Sequence, residues 1–173
     1  MQAPRFSRRG RTWKKLKRPP VDPGGRKGRQ MVSKVLFSSE TDQWATPGKL
    51  FDKLNKEFGF DLDPCADENN HKCPKYFTKE VDGLTQNWGG HTVFCNPPYG
   101  REIGSWVQKS YEESLKENTK VVMLIPSRTD TKWFHEYVLP HGEIRFIRGR
   151  LKFGESKNNA PFPSMVVIFD GRE

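Results

Sequence analysis

Asn96-Pro97-Pro98-Tyr99 is the feature that most constrains this chain. It directly follows Thr92-Val93-Phe94-Cys95, an apolar run that reads as a buried strand. Neither proline carries a backbone N–H, so a strand ladder cannot continue through them. The chain must leave its sheet here, at a strand's carboxyl end, where open α/β sheets bind ligands. The leaving segment brings one amide, one aromatic ring and a stiff, carbonyl-rich backbone. That set suits a planar group bearing an exocyclic –NH2. The Asn96 side-chain oxygen and a proline carbonyl accept its two hydrogens, and the Tyr99 face stacks on its ring.

A second strand end has the same design. Phe60-Asp61-Leu62 reads as a short strand running into Asp63-Pro64-Cys65-Ala66. If the two strands are adjacent and parallel, Asp63 and Asn96 lie along one edge of the sheet. That edge is a crevice with an anion on one side and an amide–aromatic clamp on the other. Asp82, in Val81-Asp82-Gly83-Leu84, is a further candidate for a hydrogen bond to a ligand there. Taken alone, Asp63 before a proline is a turn cap, and Asp82 is as much a turn residue as a ligand contact.

The rest of the chain supports an α/β reading. Thr46-Pro47 is placed to open a helix, with Thr at the N-cap and Pro at the first position. Leu50, Phe51, Leu54 and Phe58 recur at helical spacing, and Gly59 ends the run. The stretch from Asp67 to Asn87 reads as polar and irregular. Ile103, Trp106, Val107, Tyr111 and Leu115 form the stripe of a second helix. Val121 to Ile125 is apolar throughout, as in a central parallel strand covered on both faces, and Pro126 stops it. Asp130 to Val138 reads as a short helix with Trp133, Phe134 and Val138 inward. Glu143–Ile147 and Met165–Phe169 are two more strands with no helix between them, hence antiparallel. Their connection, Gly149 to Pro163, is too long for a tight hairpin, and loops of that length are often functional.

Charge divides the chain. Residues 1–35 hold twelve Lys/Arg, among them Arg8, Arg9, Lys14 and Lys15, against a single acid, Asp22. The other 18 basic and 20 acidic residues nearly cancel. The chain therefore reads as a basic arm, expected to be disordered when free, followed by one domain over 36–173. Such an arm neutralises phosphates, and Phe6 and Trp13 within it offer stacking surfaces for bases. A solubility tail or an anionic-membrane tail is the blander reading. No stretch is apolar and long enough to span a bilayer, and no signal peptide is visible, so a cytoplasmic location is expected. Cys65, Cys73 and Cys95 are an odd count with no zinc-type spacing, so no metal and no disulfide framework is expected.

Seven segments, in order, resemble the phage-type Dam family of DNA adenine-N6 methyltransferases. They are Trp44-Ala45-Thr46-Pro47, Phe60 to Ala66, Asp82-Gly83-Leu84, Cys95 to Gly100, Leu124 to Thr131, Gly149 to Phe153 and Ala160 to Ser164. The resemblance runs from about Phe37 to Phe169 and excludes the basic arm. It implies a compact Rossmann-like methyltransferase fold, mostly parallel with an antiparallel last strand, and S-adenosylmethionine as methyl donor. It implies that Thr46 and Pro47 touch the methionine end of the cofactor. Asp63, Pro64, Cys65 and Ala66 line the crevice, and Asp82 reaches the adenine or ribose. Asn96, Pro97, Pro98 and Tyr99 hold the target adenine, and Phe153 or Phe162 packs against the flipped base. Arg128 and Arg150 flank the working edge, where phosphates would pass. A phage or prophage origin in a bacterial host is also implied.

The implied chemistry follows from the electronics of adenine. Its N6 lone pair is delocalised into the ring, and accepting both N6 hydrogens favours a pyramidal, nucleophilic nitrogen. Methyl transfer is then mainly a matter of positioning and of stabilising charge on N6. Adenine inside double-stranded DNA must be flipped out at a cost of a few kcal/mol. One departure stands out. No Gly-x-Gly follows Ala66, and only 19 positions separate Asp63 from Asp82, so the cofactor edge is shortened. Asp67 and Glu68 are then the ribose-binding candidates. Competing readings are methylation of a protein glutamine amide or of cytosine N4, or a DNA-binding module without catalysis. With no separate recognition domain, short or relaxed sequence specificity and a monomer are expected.

Overall fold

The computed structural model describes residues 44–154 and 158–171. The basic arm, with Arg8, Arg9, Lys14 and Lys15, lies outside the described residues. Helix α1 (Gly48–Phe58) comes first, then strands β1 (Leu62–Asp63), β2 (Lys75–Tyr76) and β3 (Thr92–Cys95). Helix α2 (Ile103–Ser114) leads to β4 (Lys120–Pro126), and β5 (Glu143–Phe146) and β6 (Ser164–Phe169) close the chain. The sheet order is β2-β1-β3-β4-β6-β5. β2, β1, β3 and β4 pair in parallel, whereas β6 runs antiparallel to both β4 and β5. Only the last strand is thus reversed. The sheet is the mixed, mostly parallel α/β sheet that the alternation of helices and apolar strands dictates.

Burial follows strand position. β6 and residues 121–126 of β4 are buried throughout, as central strands covered on both faces must be. Helix α1 buries Phe51 and Leu54, and Phe51 meets Phe94 of β3 edge-on at 5.1 Å. Gly59 ends α1 in the left-handed conformation (φ 70°), where a side chain would strain the backbone. Helix α2 buries Ile103, Trp106 and Val107 but leaves Leu115, just past its end, 51% exposed. Leu115 therefore does not belong to the apolar stripe expected for it.

Three local expectations need correcting. Pro47, not Thr46, occupies the N-cap of α1, with no side-chain cap; the Thr46 hydroxyl is engaged by Asn96 instead. The stretch from Asp67 to Asn87 is not wholly irregular. It contains β2 and a 3-10 turn at Gly83–Thr85. The expected helix near Trp133 is a π-helical turn, Phe134–Val138, continued as Leu139–His141. Pro140 has no N–H to return to the coil there, which fits the widened turn. Trp133, Phe134 and Val138 do face inward.

A buried carboxylate on α2 braces the segment that leads into β3. Glu113 is 3% exposed and accepts from the Trp88 backbone N–H at 2.8 Å, from Lys109 Nζ at 2.6 Å and from Lys116 Nζ at 2.7 Å. Burial pushes the Glu113 carboxyl up, but the two lysines and the Trp88 N–H outweigh it and hold it below its ordinary value. The Trp88 indole, fully buried, donates to the Gly83 carbonyl at 2.9 Å. Gly83 in turn abuts β1, since a Cβ there would sit 1.9 Å from the Pro64 carbonyl oxygen. Replacing Glu113 by Ala strands a buried N–H and should lower unfolding free energy by about 1–3 kcal/mol in urea titrations. Because the carboxyl is depressed, that difference should be full above its unfolded value of 4.5 and shrink as pH falls through it.

Candidate functional site

β1 and β3 are adjacent and parallel, with Leu62 opposite Val93. Their carboxyl ends therefore open on one edge, and both chains leave it at a proline. A cleft lies there, lined by Trp44, Ala45, Thr46, Asp63, Cys65, Asn70, Lys72, Phe94, Asn96 and Pro98. Pro64, Ala66 and Pro97 are buried behind the lining. Pro47 begins α1 just beyond Thr46.

Asp63 is the cleft's anionic wall. It is 5% exposed and accepts backbone N–H groups from Lys72 at 3.2 Å and from Cys65 at 3.4 Å. Burial pushes its carboxyl up to about 6, against the pull of those two N–H groups and of nearby His71 and Lys72. Among the described residues it forms no ion pair within 4.0 Å. A desolvated carboxylate facing a cleft without a cationic partner favours a ligand that brings positive charge. S-adenosylmethionine, with an ammonium and a sulfonium, fits that donor set.

Asn96 is the opposite wall. Its Nδ2 donates to the Trp44 carbonyl and, at 2.9 Å, to Thr46 Oγ1, while its Oδ1 accepts from the Tyr99 hydroxyl at 2.7 Å. The same hydroxyl lies 3.1 Å from the Leu124 carbonyl. Burial pushes the Tyr99 phenol well above its ordinary range, so it stays a neutral donor. The Tyr99 ring is not an open platform, being only 4% exposed. Trp44 lies over it at 6.4 Å and 19°, and Phe153 and Phe162 meet it edge-on at 6.0 and 5.5 Å. Phe153 is itself buried, so of the two loop phenylalanines only Phe162 retains partial exposure.

The other expected residues divide. Cys65 Sγ lies 3.8 Å from Cys95 Sγ between the two walls. Burial beside Cys95 pushes the Cys65 thiol well up, so it is an unreactive thiol at neutral pH. Asp67 is committed to its own turn, accepting from the Asn69 and Asn70 N–H groups and from Asn70 Nδ2. Glu68 is exposed. Asp82 is outside the cleft lining; at φ 53° it caps Leu84 N at 3.1 Å. Its neighbour Gly83 lies against the Pro64 carbonyl. Arg128 follows β4 and Arg150 follows β5, both exposed. Because β5 runs parallel to β4, both stand beyond the same sheet edge as Asn96. Trp44, Asn70 and Lys72 received no role from sequence reasoning; Trp44's place in a matching segment was the one available signal. Arg101, directly after Tyr99-Gly100, is exposed beside the same edge and was also missed.

An α/β sheet that is mostly parallel, with its last strand reversed, is consistent with a methyltransferase fold. The profile of the Dam family, described as DNA N-6-adenine-methyltransferase, matches residues 33–171. A DNA N-6-adenine-methyltransferase of Haemophilus phage HP1 is 36% identical over 148 residues, covering 81% of this chain and 85% of its own. One of Escherichia phage T1 is 35% identical over 112 residues, covering 64% of this chain and 46% of its own. The chain belongs to the Dam family. It is a DNA adenine-N6 methyltransferase that uses S-adenosylmethionine. Adenine N6 thereby displaces the glutamine-amide, cytosine-N4 and non-catalytic readings. Among the described residues no helix is long and apolar enough to cross a membrane.

The Asp63 carboxyl makes a pH signature. Its folded value, about 6, is above the ordinary 3.8, so the unfolded chain gives up its proton first. This group's contribution to stability is full below 3.8 and is lost as pH rises through about 6, a change of up to about 3 kcal/mol. An Asp63→Asn variant should lack that slope. Urea midpoints of both proteins from about pH 4 to about pH 7 check it, and a pH-independent difference between them would contradict a buried titrating carboxyl.

Proposed function

We propose that Asn96, Pro97, Pro98 and Tyr99 form the catalytic segment and that S-adenosylmethionine binds in the cleft facing it. The observation that carries this reading is the placement of the Asn96 amide across one cleft from Asp63, which has no ion pair among the described residues. When bound, the cofactor supplies an electrophilic methyl group. Asp63 answers its positive charge, while Thr46, Pro47, Pro64, Cys65 and Ala66 shape the crevice. Asp82, whose Oδ1 caps Leu84, reaches the adenine or ribose of the cofactor.

Asn96 Oδ1 accepts one N6 hydrogen of adenine and the Pro97 carbonyl the other. The Tyr99 hydroxyl donates to one lone pair of Asn96 Oδ1 and leaves the other for the base. A flipped adenine reaches the Tyr99 ring once Phe162, the more exposed of the covering rings, gives way. Phe153 supports Trp44 and Phe162 from below and does not itself meet the base. Arg128 and Arg150 contact phosphates along the working edge of double-stranded DNA, and the protein acts as a monomer.

Two measurements test this. With tritiated S-adenosylmethionine and adenine-containing duplex, an Asn96→Ala variant should lose about 10²–10³-fold in N6-methyladenine formed, while keeping cofactor affinity. Wild-type activity in that variant would refute the clamp. Joint replacement of Arg8, Arg9, Lys14 and Lys15 by Ala should flatten the log–log dependence of DNA affinity on salt by up to about 3–4, at about 0.9 for each phosphate no longer neutralised. An unchanged slope would detach the arm from DNA.

A further inference from the structure

The two hydrogens of the Asn96 amide are both consumed inside the protein. One goes to the Trp44 carbonyl and the other to Thr46 Oγ1 at 2.9 Å. A backbone carbonyl can only accept, so the edge facing Trp44 has to be the nitrogen, which fixes the amide's orientation independently of how oxygen and nitrogen were told apart. The Tyr99 hydroxyl, at 2.7 Å from Oδ1, fixes the other end of the amide. A carbonyl oxygen has two lone pairs. One takes the Tyr99 proton, and the other is left for the cleft that Asn96 lines.

We infer that Trp44-Ala45-Thr46 is the orienting element of the catalytic amide: it holds Asn96 as an acceptor only, and thereby selects an exocyclic amine over a carbonyl at the position of the target base. Thr46 is then a positioning residue acting through Asn96, besides presenting a side to the cleft. The Thr46 side chain is 6% exposed, so no water competes readily for its hydroxyl. Its distance in sequence from Asn96, fifty positions, is bridged because Thr46 gives up the N-cap of α1. An amide free to turn over would present Nδ2 to the cleft and could donate to a base carrying a carbonyl there. In the locked arrangement two oxygens would face one another without a proton, so such a base is rejected by an unpaired acceptor rather than by size. The inference rests on the proposed role of Asn96 and adds to it how that role is made selective.

The test compares Thr46→Val and Thr46→Ser on a duplex that the wild type methylates. The competitor is the same duplex with hypoxanthine, which carries a carbonyl in place of the amine, at the methylated position. Thr46→Val should lower kcat roughly fivefold, the scale of one hydrogen bond, and let the hypoxanthine duplex compete several-fold better relative to the adenine duplex. Its affinity for S-adenosylmethionine by calorimetry should stay within about twofold, and Thr46→Ser should resemble the wild type in all three readouts. In an Asn96→Ala background, Thr46→Val should leave hypoxanthine competition unchanged. Weaker cofactor binding that accounts for the whole activity loss would make Thr46 a cofactor contact and overturn the inference. So would a Thr46→Ser variant as impaired as Thr46→Val, or an effect on competition that persists without Asn96. A fully active Asn96→Ala variant is a separate failure, of the clamp itself.

Discussion

Loss of a backbone donor at proline sets the working edge of this protein. Pro64 follows β1, Pro97 and Pro98 follow β3 after Asn96, and Pro126 is the last residue of β4. Three neighbouring parallel strands thus end on the same side of the sheet, each at or just before a residue with no N–H to donate. Each stop leaves a polar residue or a carbonyl at the edge, as Asp63, as Asn96 and as the Leu124 carbonyl near the end of β4. The reversed β6 begins at this edge too. Ser127 N–H pairs with the Pro163 carbonyl there, and Ile147 N–H with Ser164. The loop that carries Phe153 and Phe162 therefore begins and ends on the same side of the sheet as Asn96.

The edge is held in register by interactions from far along the chain. Glu113 fixes Trp88, Trp88 holds the Gly83 carbonyl, and Gly83 rests on the Pro64 carbonyl. The loop is fastened from the other side, through Gly154 N–H to the Ala45 carbonyl at 2.8 Å and through Phe153 against Trp44 at 5.3 Å. Asp63 and Asn96 are thus each braced by a separate element. A buried carboxylate without an ion pair among the described residues is an expensive arrangement, and an amide with both hydrogens engaged is a fixed one. Both sit where a charged donor and an amine would meet.

How much of this could be read from residues varied with the kind of signal. β4, the two strand-end motifs and the Gly59 stop were legible because apolar runs, prolines and a left-handed glycine act locally. β2 was not, since Lys75-Tyr76 offers two residues, neither of them buried, and no alternation. The position of Thr46 was misread for a physical reason: a hydroxyl suited to capping was claimed by a side chain fifty residues away. Glu113 looked like any charged helix residue, and only its meeting with Trp88 shows why it is buried. The Tyr99 ring was legible as an aromatic at the right place. Its cover of three other rings was not, because those rings come from two distant segments.

The shortened cofactor side has a thermodynamic consequence. β1 and β2 contribute two residues each, so that flank of the sheet has few ladder hydrogen bonds compared with the six-residue pairing of β4 and β6. Regions with few ladder bonds open at lower free energy than the sheet centre, and amide exchange reports them first. In the proposed arrangement the methyl donor meets its protein on that flank. Part of its intrinsic binding energy then goes into ordering the polypeptide, and the resident ligand becomes a structural member of the sheet as well as a reagent.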